Sequence, residues 1–582
     1  MKKGGLTRRE FLKGTAAGVT LTAAAGVLGA CSTKDEGAKT TEPSSKASTM
    51  ADETTTSISA ETAADGENVP AAGGYAWEQK MVPITDFIEE KEFDIVIVGA
   101  GMAGCAAAQS AAEAGASVCV VEKSNKITAH GTDVCAIGSK LQKELNIEID
   151  KAEAARLIYD WSQQQANYAL IRTFVEKSGE VMDYYIDMAR ENHIEVYLNN
   201  QMTARSDWDT LADRYKQFRT AHKFAPLEMS MRDDGEWVTA NLIEMNREDA
   251  EKNGAEFFFN MKAEQLIREG DRVTGVVVGD EDGYTKISAS KGVILATGGI
   301  GGSEEMKRTW CPIALRADLD SYTPAGFNTG DGIVMGMQIG AARSNCYPAP
   351  IIHPVNLAVM GPGFDTTWLT VNRDGQRYCN EMGYEPIVTN ARMMTPGNVS
   401  WAIMDANYKE HALHQEPNKA QAFVEGLEEA MEAAVQDGTY VKADTLDELA
   451  GAIGVPADAL KATVERYNRW CDQGEDKDFQ VPERFLSSVK DAPFYACKVN
   501  AWLLALPYGL HVNENSQVCD GEDNPIGGLF AIGNVQGDFF ANSYPVVCPG
   551  TSHGRGLVFG RLVGQALAND TVIGSYDIVM NS

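Results

Sequence analysis

The chain has 582 residues, 44% apolar and 23% charged, which is ordinary for a soluble globular protein and enough for two or more domains with large cores. A formal net charge of −31 argues against nucleic acid as a partner, because its phosphates would be repelled. The 11 cysteines include no C-x-x-C, which excludes a c-type haem attachment and closely spaced iron–sulfur ligands. Nor do their spacings describe a disulfide scaffold, so buried free thiols and no metal site are expected.

Residues 1–31 read as an address. Thr7-Arg8-Arg9-Glu10-Phe11-Leu12-Lys13 is a twin-arginine pattern, and the mildly apolar stretch Gly14 to Ala30 is too short and too rich in Gly and Ala to span a membrane convincingly. Leu28-Gly29-Ala30-Cys31 resembles a bacterial lipobox, so Tat export and a lipid anchor at Cys31 are expected, with ordinary cleavage near Ala30 as the alternative. That anchor would be the only membrane contact, on the periplasmic side or cell surface. Residues 32–90 read as a disordered tether and lead-in; up to residue 75 they are Ser, Thr, Ala, Glu and Asp, with too little apolar surface to fold.

The next stretch, Phe93-Asp94-Ile95-Val96-Ile97-Val98-Gly99-Ala100-Gly101-Met102-Ala103-Gly104, is a β-branched run leading into G-x-G-x-x-G. Ala-rich helix-forming sequence follows, then a second strand, Ser117–Val121, closed by Glu122. Gly99 permits the turn, Gly101 lets a pyrophosphate approach the backbone, and Gly104 lets the helix pack close to the strand. Glu122 lies about 20 residues on, where an acid receives ribose hydroxyls. The pattern predicts a dinucleotide site.

Downstream, the loop Ser124–Ser139 carries His130, Thr132 and Asp133 among small residues. Residues 151–191 and 236–253 have the periodicity of amphipathic helices. Glu256–Phe259, Arg272–Gly279 and Lys291–Gly299 read as strands. Thr329-Gly330-Asp331-Gly332 opens the helix Ile333–Gly340, where Asp331 could cap N–H groups or accept from a ligand.

Taken together, these residues resemble the FAD-dependent fumarate reductase/succinate dehydrogenase flavoprotein superfamily. The match runs from about Phe93 to Gly564. It includes Ala296-Thr297-Gly298-Gly299, Val371–Glu381 with Arg377-Tyr378-Cys379-Asn380-Glu381, Thr463–Asn468, Gly528–Asn534 and Phe559–Gly564. The resemblance implies an α/β fold: a Rossmann-like FAD-binding domain of the two-dinucleotide-fold type, residues 91–344 and 496–582, with an inserted α+β capping domain, residues 345–495. It assigns FAD to the turn Gly99–Gly104, to Glu122, Lys123, Thr132, Asp133, Thr297, Gly298 and Asp331, and to Asn534, where many relatives carry a Glu. Ser552 and His553 would begin the last helix, Ser552–Ala568, and present N–H groups to the flavin pyrimidine. His130 is expected as a hydrogen-bonding loop residue rather than a covalent link to the flavin.

The same resemblance bears on chemistry. Fumarate reductases use a cap Arg as proton donor a few residues beyond this R-Y-C-N-E segment; here Tyr384 or Glu385 occupies that place, and Tyr384 is the expected general acid. His353-Pro354 matches a His-Pro that contacts substrate, so His353 could polarise a substrate oxygen. Two carboxylate-binding groups are missing: Leu504–Ala505 stands where relatives have a His, and the Arg of an A-N-R segment is replaced in Ala541-Asn542-Ser543-Tyr544-Pro545. Without bidentate partners at both ends a dicarboxylate is disfavoured. Tyr544 suits a less charged enone or enoate, and Arg392 or Arg555 could restore one carboxylate contact. The expected protein is therefore an exported FAD reductase of an activated C=C bond, its electrons coming from a separate membrane-bound or periplasmic cytochrome. The alternatives are a dehydrogenase running the chemistry backward, and a flavoprotein electron carrier without a small-molecule substrate.

Overall fold

A computed structural model of the chain describes residues 74–199, 212–227, 229–320, 326–355, 367–382, 385–415 and 421–573. The expected twin-arginine segment, the lipobox with Cys31, most of the tether and Tyr384 lie outside the described residues. Among those described, no helix is long and apolar enough to cross a membrane.

The first strand, β1 (Glu89–Val98), runs into a turn and then helix α1 (Met102–Glu113). Strand β2 (Val118–Val121) lies parallel to β1, with Ile95 opposite Val118 and Val98 opposite Val121. Helix α1 is almost all small residues and is buried from Met102 to Ala112. That composition favours helix and keeps its surface shallow enough for neighbours on two sides. Helix α2 (Ala240–Lys252) then leads to β3 (Glu256–Phe258), which extends the sheet parallel to β2. A β-meander follows: β4 (Lys262–Glu269), β5 (Arg272–Gly279) and β6 (Tyr284–Leu295). Strand β6 changes partners along its length. Its first half pairs antiparallel with β5, whereas its second half joins the parallel sheet against the last strand of the chain, at Val293–Leu295.

The helical sequence over 151–191 forms two helices, Lys151–Trp161 and Tyr168–Glu191. Gln163 and Gln164 adopt positive φ between them, and Asn167 caps the second helix by accepting from the Ala169 N–H. The break carries no Gly or Pro, so periodicity ran straight through it.

After helix α3 (Asp331–Gln338) the chain enters β7 (Ile351–Val355). A second unit holds a four-stranded antiparallel sheet in the order β8 (Leu369–Asn372), β9 (Ser400–Met404), β11 (Phe494–Lys498), β10 (Tyr440–Ala443). Its core, from Leu369 to Ala496 with Tyr215 added, is separate from the main one. The chain returns through β12 (Asn500–Ala505), which pairs antiparallel with β7, so entry and exit run side by side. Strands β13 (Gln517–Cys519) and β14 (Pro525–Ala531) then close the main sheet, and helix α4 (Thr551–Ala568) ends the described fold.

Helix α4 packs on α1 through glycines. A Cβ on Gly560 would stand 2.6 Å from the Ala103 carbonyl oxygen, and one on Gly564 would stand 2.5 Å from that of Ala107. The spacing Gly556, Gly560, Gly564 places a flat stripe on one helix face, and α1 answers with alanines. The two backbones therefore approach more closely than larger side chains allow.

In the second unit, the R-Y-C-N-E segment is structural. The Arg377 guanidinium is bidentate to Glu381 at 2.8 and 2.7 Å and to Asp476 at 2.9 and 2.8 Å. It is sandwiched between the rings of Tyr467 and Phe479, at 4.9 and 5.0 Å. The Asn380 amide donates to the Tyr215 hydroxyl at 2.8 Å, tying this segment to a residue from the first part of the chain. The cluster fixes the stretch that leads to Tyr384 and Glu385. Replacing Arg377 with Met leaves two buried carboxylates without a cation, and should cost about 3–5 kcal/mol in a urea-unfolding measurement.

Candidate functional site

The turn between β1 and α1 is built by sterics. Gly99 has φ +108°, and a Cβ there would meet the Ala296 carbonyl oxygen at 2.5 Å. A Cβ on Gly104 would collide with the Gly99 carbonyl oxygen, so the third glycine makes the close helix–strand contact expected of it. Gly101 differs: a Cβ on it meets nothing nearer than Thr128, at 3.9 Å. The space above Gly101 is the floor of a cleft of about 280 Å³.

This cleft gathers most of the residues singled out from sequence: Gly99, Gly101, Met102, Ala103, Glu122, Lys123, Thr132, Asp133, Thr297, Gly298, Asp331, His353, Asn534, Tyr544, Ser552 and His553 all line it. Ala100 and Gly104 are buried behind the wall rather than on it. Glu385 is the first residue of a helix running to Met393, and Tyr384 precedes it outside the described residues.

At one end, Glu122 Oε2 accepts from the Ala100 N–H at 2.8 Å and Oε1 from the Ser124 N–H at 2.9 Å. The carboxylate thus clamps the glycine turn, and its remaining lone pairs can accept from ribose hydroxyls. Lys123 reaches across to Asp331 (2.8 Å) and Thr329 (3.0 Å), joining β2 to α3. Asp331 is the first residue of α3, with Gly330 as its N-cap and no side-chain cap bond; the capping role read from sequence is replaced by the ion pair.

At the other end, the first turn of α4 faces the cleft. Its N-cap, Gly550, has φ +82°, and a Cβ there would press on the backbone of Asp133–Cys135, so only glycine fits. His553 Nδ1 donates to the Asp133 carbonyl at 2.9 Å, and burial lowers the imidazole pKa, keeping it neutral. The Asp133 carboxyl accepts from the Asn199 amide at 2.7 Å, and burial raises its pKa. Ser552 donates to Asn534 Oδ1 at 2.8 Å, and Arg555 donates to the same oxygen at 2.9 Å. A guanidinium can only donate, so the amide orientation is fixed and the Asn534 NH₂ is left to give hydrogen bonds.

Between the ends lies a largely apolar wall: Leu504, Ala505 and Leu506, with His353 and Tyr544. His353 is buried on β7, opposite Trp502 of β12. The Tyr544 hydroxyl oxygen accepts from the Ser552 N–H at 2.6 Å, and burial pushes the phenol well above its ordinary pKa. No arginine lines the cleft among the described residues. Arg392, considered from sequence as a carboxylate partner, is fully buried and bound to Asp318 at 2.7 Å and to Asn398 at 3.1 Å. Arg555 also lies behind the wall.

These features suit a bound dinucleotide. The bare Gly101 cradle, the N-termini of α1 and α4, the fixed amide of Asn534 and the buried Thr297 Oγ1, which has no hydrogen-bond partner in the protein, can all be used by such a ligand. The fold and the cleft define a flavin-dependent oxidoreductase. Residues 94–546 match the FAD binding domain family, and the chain belongs to it within the fumarate reductase/succinate dehydrogenase flavoprotein superfamily. Its cofactor is FAD, and the class acts on CH–CH and C=C groups.

The vinyl phenol reductase of Lactiplantibacillus plantarum is 25% identical over 506 residues, covering 82% of this chain and 97% of that one. The 3-oxosteroid 1-dehydrogenase of Mycolicibacterium smegmatis is 25% identical over 577 residues, covering 83% and 98%. Among solved structures, the 3-ketosteroid-Δ4-(5α)-dehydrogenase of Rhodococcus jostii RHA1 matches with a TM-score of 0.66 at 22% identity, covering 84% of this chain and 99% of that one.

Two glycine substitutions separate cofactor binding from folding. Gly101→Val has room and an ordinary φ of −91°, so it should fold with normal circular dichroism yet purify colourless. Gly104→Ala should instead fail to give soluble folded protein, because the clash is with backbone.

Proposed function

We propose that the protein is an exported, lipid-anchored FAD-dependent reductase that saturates an activated C=C bond in a small enoate or enone, not in fumarate, drawing electrons from a separate cytochrome. The observation that carries this reading is the substrate-side wall: an apolar strand at Leu504–Leu506 beside His353 and Tyr544, with no arginine among its described residues. A dicarboxylate would leave two charges in that wall without guanidinium partners, whereas an apolar or aromatic body with one carbonyl fits.

When bound, FAD supplies the hydride. The chain's residues orient the acceptor and manage the proton. Tyr544 receives the Ser552 N–H, so its own O–H is left to donate to a substrate carbonyl; burial keeps it neutral, a hydrogen-bond donor rather than an acid. His353 stands in the same wall as a second polarising group. Tyr384, or Glu385 beside it, protonates the carbon next to the carbonyl from the cap side. The Arg377 cluster supports this by anchoring the segment just before them. The N-terminal pattern supports export.

The reverse reaction, oxidation of a saturated ketone, is the second reading, favoured by the likeness to 3-oxosteroid 1-dehydrogenase. One anaerobic experiment separates the two. Photoreduced protein should be reoxidised by members of a panel of enoates, enones and aryl acrylates, and left reduced by fumarate. Bleaching of the oxidised protein by saturated ketones would establish the second reading instead. A flavin indifferent to every compound but quickly oxidised by cytochromes would leave an electron carrier. In the active protein Tyr384→Phe should bind FAD normally and lose about a hundredfold or more in turnover, the scale of a lost general acid; near-full activity would remove Tyr384 from that role.

A further inference from the structure

We propose that Arg555 is the buried charge that sets the reduction potential of the bound flavin, acting from behind the cleft wall through Asn534 and the first turn of α4. The inference rests on the flavin reading above, but goes beyond it by naming a residue that touches neither substrate nor solvent.

Arg555 is fully buried. Its Nη2 donates to the Gly533 carbonyl at 2.8 Å and to Asn534 Oδ1 at 2.9 Å, and its Nη1 to the Gln536 carbonyl at 3.3 Å. The faces of Phe539 and Phe540 lie 5.3 and 4.5 Å from it, and Nε has no partner. Among the described residues, none of its hydrogen bonds goes to a carboxylate. Burial brings the guanidinium down to about 9, which leaves it protonated at neutral pH.

A cation held out of water without a counter-ion is costly, and carbonyl dipoles with two ring faces offset only part of that cost. The missing negative charge is one the cleft can supply. Gly533, Asn534, Ser552 and Gly556 all line it, so the guanidinium stands one hydrogen bond behind the surface that meets the ligand. The N–H groups at the start of α4 point the same way. Oxidised FAD has a neutral ring. Two electrons and one proton make that ring an anion, which is the partner Arg555 lacks in the oxidised state. The site therefore binds reduced FAD more tightly than oxidised FAD, and by linkage the potential rises. Arg555 is a positioning residue for charge; it does not react.

The test is the midpoint potential of the purified yellow protein, read by dye equilibration. Arg555→Gln should weaken the preference for reduced over oxidised FAD at least tenfold, a fall of about 30 mV for a two-electron couple. Arg555→Lys, which keeps the charge, should stay nearer the wild type. Because Arg555→Gln could disturb the fold, Asn534→Asp provides a second route. It is isosteric and places a carboxylate against Arg555; because it also removes the NH₂ that faces the cleft, the proposal requires a lower potential together with a raised melting temperature, which loss of a donor alone would not give. Unchanged potentials in Arg555→Gln or Asn534→Asp would overturn the proposal, as would equal falls in Arg555→Gln and Arg555→Lys. A wild-type protein that holds no flavin would bring down the cofactor reading as well, so the two failures are distinct.

Discussion

The architecture depends on how closely α4 lies against α1. Gly560 and Gly564 meet the carbonyls of Ala103 and Ala107 where any side chain would hold the helices apart. Because the axes are so near, the N-terminal turns of both helices open onto the same cleft, one beside Gly101 and the other at Thr551–His553. Two partial positive charges at one cleft suit a ligand that is anionic in its middle and becomes anionic at one end. The sheet beneath does not set that spacing; it supplies the turns and strands from which the helices depart.

Much of the cleft's nucleotide-side wall was legible in the chain because it is local. The turn Gly99–Gly104, the acid at Glu122 and the strand leading to Thr297 are short-range patterns whose sterics leave few alternatives. What could not be read was pairing across the sequence. Nothing around Arg377 announces that Asp476 is its second carboxylate, and nothing around Arg555 tells that it is buried between two phenylalanines without an acid. Glu122 carries a related lesson: an acid at that position predicts ribose binding, yet much of its hydrogen bonding holds the glycine turn itself. The glycines of α4 were visible at every fourth position, but a regular spacing names a flat face and not the helix that will cover it.

The cleft joins two kinds of surface. The end that holds the nucleotide is made of backbone, short side chains and an ion pair between Lys123 and Asp331. The middle of the cleft is apolar strand, a phenol and an imidazole. The first is constrained by close backbone contacts at Gly99 and Gly104; the second is lined by side chains. Sequence similarity of 25% to both a reductase of vinyl phenols and a steroid dehydrogenase fits that division.

Strands β7 and β12 carry the chain into and out of the second unit side by side, and both contribute to the cleft wall through His353 and Leu504. A large insertion that leaves through the doorway it entered imposes almost no length or register requirement on what it contains. The inserted unit can therefore vary in size and arrangement while the helices and strands that form the cleft keep their spacing.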